Sequence, residues 1–177
     1  MRSTYKTHNI EGTYFITSSI VNWIDIFTSE KYSNILADAI NYYISKQTLT
    51  VYAYVIMKNH FHMICKGEDL SVLIRLIKSY TAKRIVKELQ NDCETILLDK
   101  FRTNKKDYKT ESEHQIWQEG FHPKEILNEE ILKQKIQYIH NNPVMGGYCM
   151  DGIDWKYSSA RFYQDGGESI IKLERLV

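Results

Sequence analysis

Two prolines and eight glycines in 177 residues are too few for a collagen-like repeat or for long disorder. An excess of one charge is also missing. Lysine and arginine total 23 against 22 aspartate and glutamate, a net charge of +1, so any attraction for a polyanion must come from a local cluster. No apolar run approaches the ~18 residues of a membrane span, and Met1 to Lys6 lacks the apolar stretch of a secretory leader; a cytoplasmic protein with no membrane partner is expected. Cys65, Cys93 and Cys149 are odd in number and widely spaced, which suits reduced thiols better than a disulfide framework or a paired-cysteine zinc site.

What remains is the make-up of one ordinary folded domain, 43% hydrophobic and 25% charged, long enough to bury a core. Thirteen tyrosines are the one unusual count, and any single one is first a packing residue. Thr13 to Val21 is β-branched and aromatic and predicts a strand. Thr28, Ser29 and Glu30 open a helix expected to run to about Lys46. Thr50 to Met57 and His60 to Cys65 predict an antiparallel pair joined by a tight turn, and Leu70 to Gln90 a long basic helix. The polar span 91–115 is expected as a mobile connection or an insertion, and Ile116 to Phe121 as a further strand. Asn128 can cap a helix that should stop near Asn141, because Pro143 removes a donor. The order predicts a single α+β domain with helices on one face of an antiparallel sheet, a core over about 13–163 and a tail over 164–177.

His60 and His62 flank Phe61 at the start of a predicted strand, so both imidazoles leave one face with backbones about 6.6–6.8 Å apart. Two rings so placed can converge on a cation, although a half-buried packing pair is the competing reading and a third ligand is required. Tyr138 and Asn142 stand at i and i+4 on one side of the Asn128 helix. Periodicity from Ile131 also allows Tyr138 to be a core residue, and Asn142 a helix-terminus residue. Arg75, Lys78, Lys83, Arg84 and Lys87 give the Leu70 helix a cationic face that could follow a phosphate backbone or simply meet water.

Four segments carry a resemblance: VIMKNHFHMIC (Val55 to Cys65), WQEGFH (Trp117 to His122), YIHNNPVMGG (Tyr138 to Gly147) and WKYSSARFY (Trp155 to Tyr163). In this order and spacing they resemble REP-associated tyrosine transposases, which are single-tyrosine HUH transposases of bacterial insertion sequences. Lys58 departs from the pattern, standing where proline is usual, and Met145 and Gly146 replace the arginine and alanine common after the Asn-Pro-Val.

The resemblance implies a ferredoxin-like domain with a catalytic helix against the sheet that bears the histidines. It further implies that His60, His62 and Asn142 bind a divalent metal, Mg²⁺ or Mn²⁺, and that Tyr138 is the nucleophile. The implied reaction is cleavage and joining of single-stranded or hairpin DNA through a 5′-phosphotyrosine intermediate. His122 and His140 are candidates to assist Tyr138, and Tyr80 on the basic helix is the rival nucleophile. A nucleic-acid-binding module that keeps the fold but not the reaction is the alternative, a structural metal protein a weaker one, and monomer and homodimer are both left open.

Overall fold

The computed structural model describes residue 9, residues 11–108, residue 110 and residues 112–175. Met1 to Lys6, read above for a leader, and the last two residues of the 164–177 span lie outside the described residues. The chain runs β1 (Tyr14–Ser19), α1 (Glu30–Ser45), β2 (Leu49–Ile56), β3 (His60–Gly67), α2 (Leu70–Asn91), α3 (Thr95–Thr103), β4 (Lys124–Glu125), α4 (Glu129–Met145) and α5 (Ala160–Asp165). The four strands form one antiparallel sheet in the order β2-β3-β1-β4. This is the split β-α-β arrangement of a ferredoxin-like α+β fold, as the resemblance implied.

Alternation along the strands builds two apolar layers. Tyr14, Ile16, Phe61, Met63 and Cys65 point to the face covered by α1 and α2, where Leu36, Ile40, Leu73, Ile74 and Ile77 complete the larger core. Phe15, Val55 and Ile64 point to the other face and meet Ile139, Ile136 and Leu132 of α4. Helices therefore cover both faces, which corrects the expectation of one: the strands of this sheet are apolar on both sides, and α4 is needed to cover the second. The β2–β3 register slips between Val51 and Ala53, a bulge that lets Val51 and Tyr54 share one face although their numbers differ by an odd step.

Other expectations shift for local reasons. β1 ends at Ser19 rather than Val21, because Val21–Trp23 turns into a short 3-10 segment. Ile116 to Phe121 is not a strand; it makes a single bridge, Trp117 to Ile20, and Gly120 with φ 69° turns the chain before it can pair further. The edge strand lies beyond it, at Lys124–Glu125, opposite Phe15 and Tyr14. Within the span 91–115 the chain forms a helix, α3, anchored by fully buried Phe101 with Leu97 and Leu98 against the core. Residues 170–174 lie against β2 and α1: Ile171 is buried, Glu174 N–H donates to the Val51 carbonyl (2.9 Å), and Asn41 Nδ2 donates to the Ile170 carbonyl (2.8 Å).

Asn128 caps α4 as expected, its Oδ1 accepting from Ile131 N–H at 2.9 Å. The helix does not stop near Asn141 but continues through Pro143 to Met145. Proline forgoes only its own hydrogen bond near the C-terminus, and Gly146 N–H still reaches the Asn142 carbonyl (2.9 Å). Just beyond, the backbone of Gly152 presses on the His140 carbonyl so closely that a Cβ there would come within 2.3 Å of the oxygen. The cysteines are free, Cys65 buried and Cys93 exposed, and among the described residues no helix is long and apolar enough to cross a membrane.

Candidate active site

His60 opens β3 and His62 follows on the same face, the one that α4 covers. Their ring centroids are 4.9 Å apart with planes at 74°. His62 is buried, stacked on Phe15 at 5.3 Å, and its Nδ1 hydrogen-bonds Thr17 Oγ1 at 2.7 Å across the β1–β3 ladder. Its Nε2 is buried with no partner among the described residues. A buried imidazole nitrogen is costly to leave unpaired, so this atom marks a place where something else belongs.

His60 is oriented by the turn before it. Asn59 Nδ2 donates to the Trp23 carbonyl (3.2 Å) and to Asp25 Oδ1 (2.7 Å), both pure acceptors, which fixes the amide so that Oδ1 faces His60 Nδ1 at 2.8 Å. An amide oxygen only accepts, so His60 Nδ1 carries the proton and Nε2 keeps its lone pair. Burial lowers the His60 pKa, opposed by the hydrogen-bonding amide of Asn142. Burial, then the nearby His60 and Lys135, pull His62 down to about 3. Both rings are neutral at ordinary pH, the state a metal ligand requires.

From α4, Tyr138 meets His62 at 5.2 Å and Phe15 at 5.8 Å between ring centroids. At 47% exposure it is not the core tyrosine that periodicity allowed. One turn later Asn142 stands beside His60. Tyr138, His60, His62 and Asn142 thus share one corner between β3 and α4. Two imidazole nitrogens and an amide oxygen make a neutral donor set that fits a divalent cation whose charge is balanced by a phosphate. Among the described residues there is no cluster of three or more His, Cys, Asp and Glu that could hold a metal.

Two further side chains enter this corner that the sequence did not single out. Lys135 Nζ lies 5.6 Å from the Tyr138 ring centroid and 5.1 Å from that of Phe15. Its spacing of i−3 from Tyr138 was the available signal. Trp23 meets His60 edge-on at 5.6 Å; nothing local could reveal that contact, which depends on how the end of β1 turns.

Of the candidate assistants, one is placed elsewhere. His140 faces the other side of α4, with Nε2 2.9 Å from buried Ser159 Oγ, its ring near Tyr163 and its pKa lowered by burial to about 4. Ser159 in turn bonds both backbone groups of Tyr54, and Trp155 Nε1 donates to the Ile56 carbonyl (2.9 Å), so the WKYSSARFY segment pins β2. His122 exchanges backbone hydrogen bonds (3.0 and 3.3 Å) with Thr17, the residue whose hydroxyl holds His62, and it is exposed. Tyr80 lies on α2, across the sheet from the histidines.

α2 also carries the five basic residues, on the side of the sheet away from His60 and His62. Arg75, Lys78, Lys83 and Lys87 line a groove of about 1350 Å³ between α2 and the 112–121 segment. Lys78 is committed to that segment, donating to the carbonyls of Gln118 (2.7 Å) and Gly120. Arg84 leaves the groove, facing Tyr80 Oη (3.4 Å) and Glu88 (3.8 Å).

No family model matches the chain. It is 29% identical over 163 residues to a Haemophilus influenzae protein described as "Putative REP-associated tyrosine transposase", covering 87% of this chain and 81% of that one. It also superposes on a solved REP-associated tyrosine transposase bound to a REP hairpin, with a TM-score of 0.67 at 21% identity, over 100% of this chain and 94% of the other. The resemblance carried by the four sequence segments is borne out, and the second similarity extends the shared fold to the whole chain.

Proposed function

We propose that this protein is a transposase-type enzyme that cleaves and rejoins single-stranded or hairpin DNA, with Tyr138 as nucleophile. The observation that carries the reading is the buried His62 Nε2, without a partner among the described residues, beside the Tyr138 ring, with the His60 Nε2 lone pair and the Asn142 amide at the same corner. The similarity to REP-associated tyrosine transposases supports it.

In the proposed reaction the Tyr138 oxygen attacks a phosphodiester, forming the Tyr O–P bond as the bond from phosphorus to the 3′ oxygen breaks. The phenolic proton ends, in net terms, on the departing 3′ oxygen, leaving a 5′-phosphotyrosine and a 3′-OH. The covalent link keeps the phosphodiester energy, so the reverse attack rejoins a strand without a nucleotide cofactor. His60, His62 and Asn142 would hold a Mg²⁺ or Mn²⁺ ion, which when bound supplies Lewis-acid polarisation of the phosphate. Tyrosine ordinarily ionises near ~10, so attack at neutral pH needs a stabilised phenolate. Lys135 supplies a fixed positive charge one turn before the nucleophile, where phenolate and phosphate negative charge develops. Arg75, Lys83 and Lys87 in the α2 groove bind DNA backbone remote from the reacting phosphate.

The test is incubation of the full chain with end-labelled hairpin oligonucleotides carrying single-stranded flanks, with Mg²⁺ or Mn²⁺. A covalent protein–DNA adduct that maps to Tyr138 and vanishes in Tyr138→Phe is expected. Binding without any adduct would instead identify a DNA-binding module, and an adduct on Tyr80 would overturn the assignment.

A further inference from the structure

We infer that Trp23 is a stacking platform for a nucleobase of the strand whose phosphate lies at His60 and His62, an inference that rests on the strand-transfer reading of that corner. Three observations lead to it. Trp23 is 57% exposed, whereas Trp117 is buried and Trp155 half-buried. Those two indoles donate to Thr81 Oγ1 (3.0 Å) and to the Ile56 carbonyl (2.9 Å). Among the described residues no hydrogen bond reaches the Trp23 indole, and its single ring contact is the edge-on one with His60. Most of a large π-surface is thus left to solvent beside the candidate metal ligand.

The backbone beneath it is held against its own preference. Asn22 and Trp23 adopt φ of 50° and 55°, consecutive left-handed conformations in residues with side chains, and for a bulky residue that is a real strain. Neighbouring contacts maintain it: Trp23 N–H donates to the Ile20 carbonyl (3.1 Å), Ile24 N–H to the Val21 carbonyl (3.2 Å), and Asn59 Nδ2 to the Trp23 carbonyl. Asn59 is also the residue that sets the His60 tautomer. One amide therefore ties the Trp23 backbone to the His60 imidazole, and the edge-on ring contact keeps the indole beside it, which is what a site needs if a base and its phosphate are to be gripped together.

The chemistry of the exposed ring selects the occupant. Every base of a single strand offers a flat π-face, unstacked and free to pair with an indole, and such stacking tolerates any sequence. Trp23 then acts as a positioning residue for strand placement rather than as a reader of base identity. Removing it should weaken binding of the flanking nucleotide about 5- to 150-fold.

The experiment is an abasic walk. Single abasic sites are placed at each nucleotide around the cleavage position, and affinity is measured by fluorescence anisotropy with wild-type protein, Trp23→Ala and Trp23→Phe, alongside KM and kcat for adduct formation. One abasic position should weaken wild-type binding, should cost Trp23→Ala nothing further, and should be matched by a raised KM in Trp23→Ala that Trp23→Phe largely restores. Losses that multiply, or Trp23→Ala affinities equal to wild type, overturn the platform even where adduct formation is normal. If Trp23→Ala does not fold, a walk on wild type and Trp23→Phe with no sensitive position beside the cleavage site overturns it equally. Absence of any adduct with the abasic coupling intact removes the strand-transfer reading instead and leaves a base-stacking site.

Discussion

Thr17 and His62 face each other across the β1–β3 ladder, and the 2.7 Å bond between Thr17 Oγ1 and His62 Nδ1 leaves the opposite ring nitrogen buried, with no partner among the described residues. The hydroxyl can accept from Nδ1, and in that tautomer the Nε2 lone pair is held ready in a ring that cannot rotate without losing both this bond and its stacking on Phe15. Thr17→Val keeps the shape and removes the hydroxyl. It should weaken Mn²⁺ binding about 10- to 100-fold, as losses of partners behind metal ligands do. Calorimetric titration of the folded variant checks this, and unchanged affinity would mean that the bond is mere packing.

Lys135 and Tyr138 occupy adjacent turns of α4, and the lysine should matter to rate more than to binding. Lys135→Met keeps an unbranched apolar stem and removes the charge that lies over the Phe15 and Tyr138 rings. Adduct formation in single turnover is expected to slow about 10²-fold, the scale for losing one preorganised electrostatic group, with DNA affinity nearly preserved. Lys135→Arg should recover part of the rate. Equal rates for all three proteins would show that the charge is screened by solvent.

The α2 groove separates its basic residues into two groups. Reversing Arg75 or Lys87 should weaken binding to all DNA sequences alike and lower the salt slope by about 0.7 per lost contact on single strands. Arg84→Glu should do much less, since Arg84 faces Glu88 and Tyr80 outside the groove. Salt-dependent binding isotherms decide this, and a larger effect from Arg84 than from Arg75 would move the DNA path to the other side of the helix.

His140 should make the metal-free protein sensitive to acid. Its folded pKa of about 4 lies below the ordinary 6.5, so between those values the unfolded chain takes up a proton that the folded one refuses. Its effect on stability is nil above about pH 6.5 and increasingly unfavourable as pH falls toward 4. Denaturant unfolding at pH 7.5, 5.5 and 4.5 should show this decline, shallower in His140→Gln, and identical slopes would rule the contribution out.

The element order was legible because helix and strand periods are local, and α1, α2 and the β2–β3 pair fall close to their expected limits. The misreadings have local causes as well. The charges of α3, Lys100 and Arg102 among them, mask the single buried anchor Phe101, and Pro143 signals a stop in the sequence although proline near a helix end forgoes only one bond. Ile116 to Phe121 has the composition of a strand but is diverted by Gly120 and by the grip of Lys78 on its carbonyls.

At the candidate site, spacing alone determined that His60 and His62 leave one strand face and that Tyr138 and Asn142 leave one helix face, since each pair is bound by the geometry of a single element. Only the tertiary structure decided that those faces meet, because α4 must cover the second apolar side of the sheet and can do so only by laying Ile136 and Ile139 on Phe15, Val55 and Ile64. The same packing brings Lys135 over Phe15, the turn at the end of β1 seats Trp23 against His60, and the basic helix is left on the far face. These are contacts between residues remote in sequence, and no period within one segment encodes them.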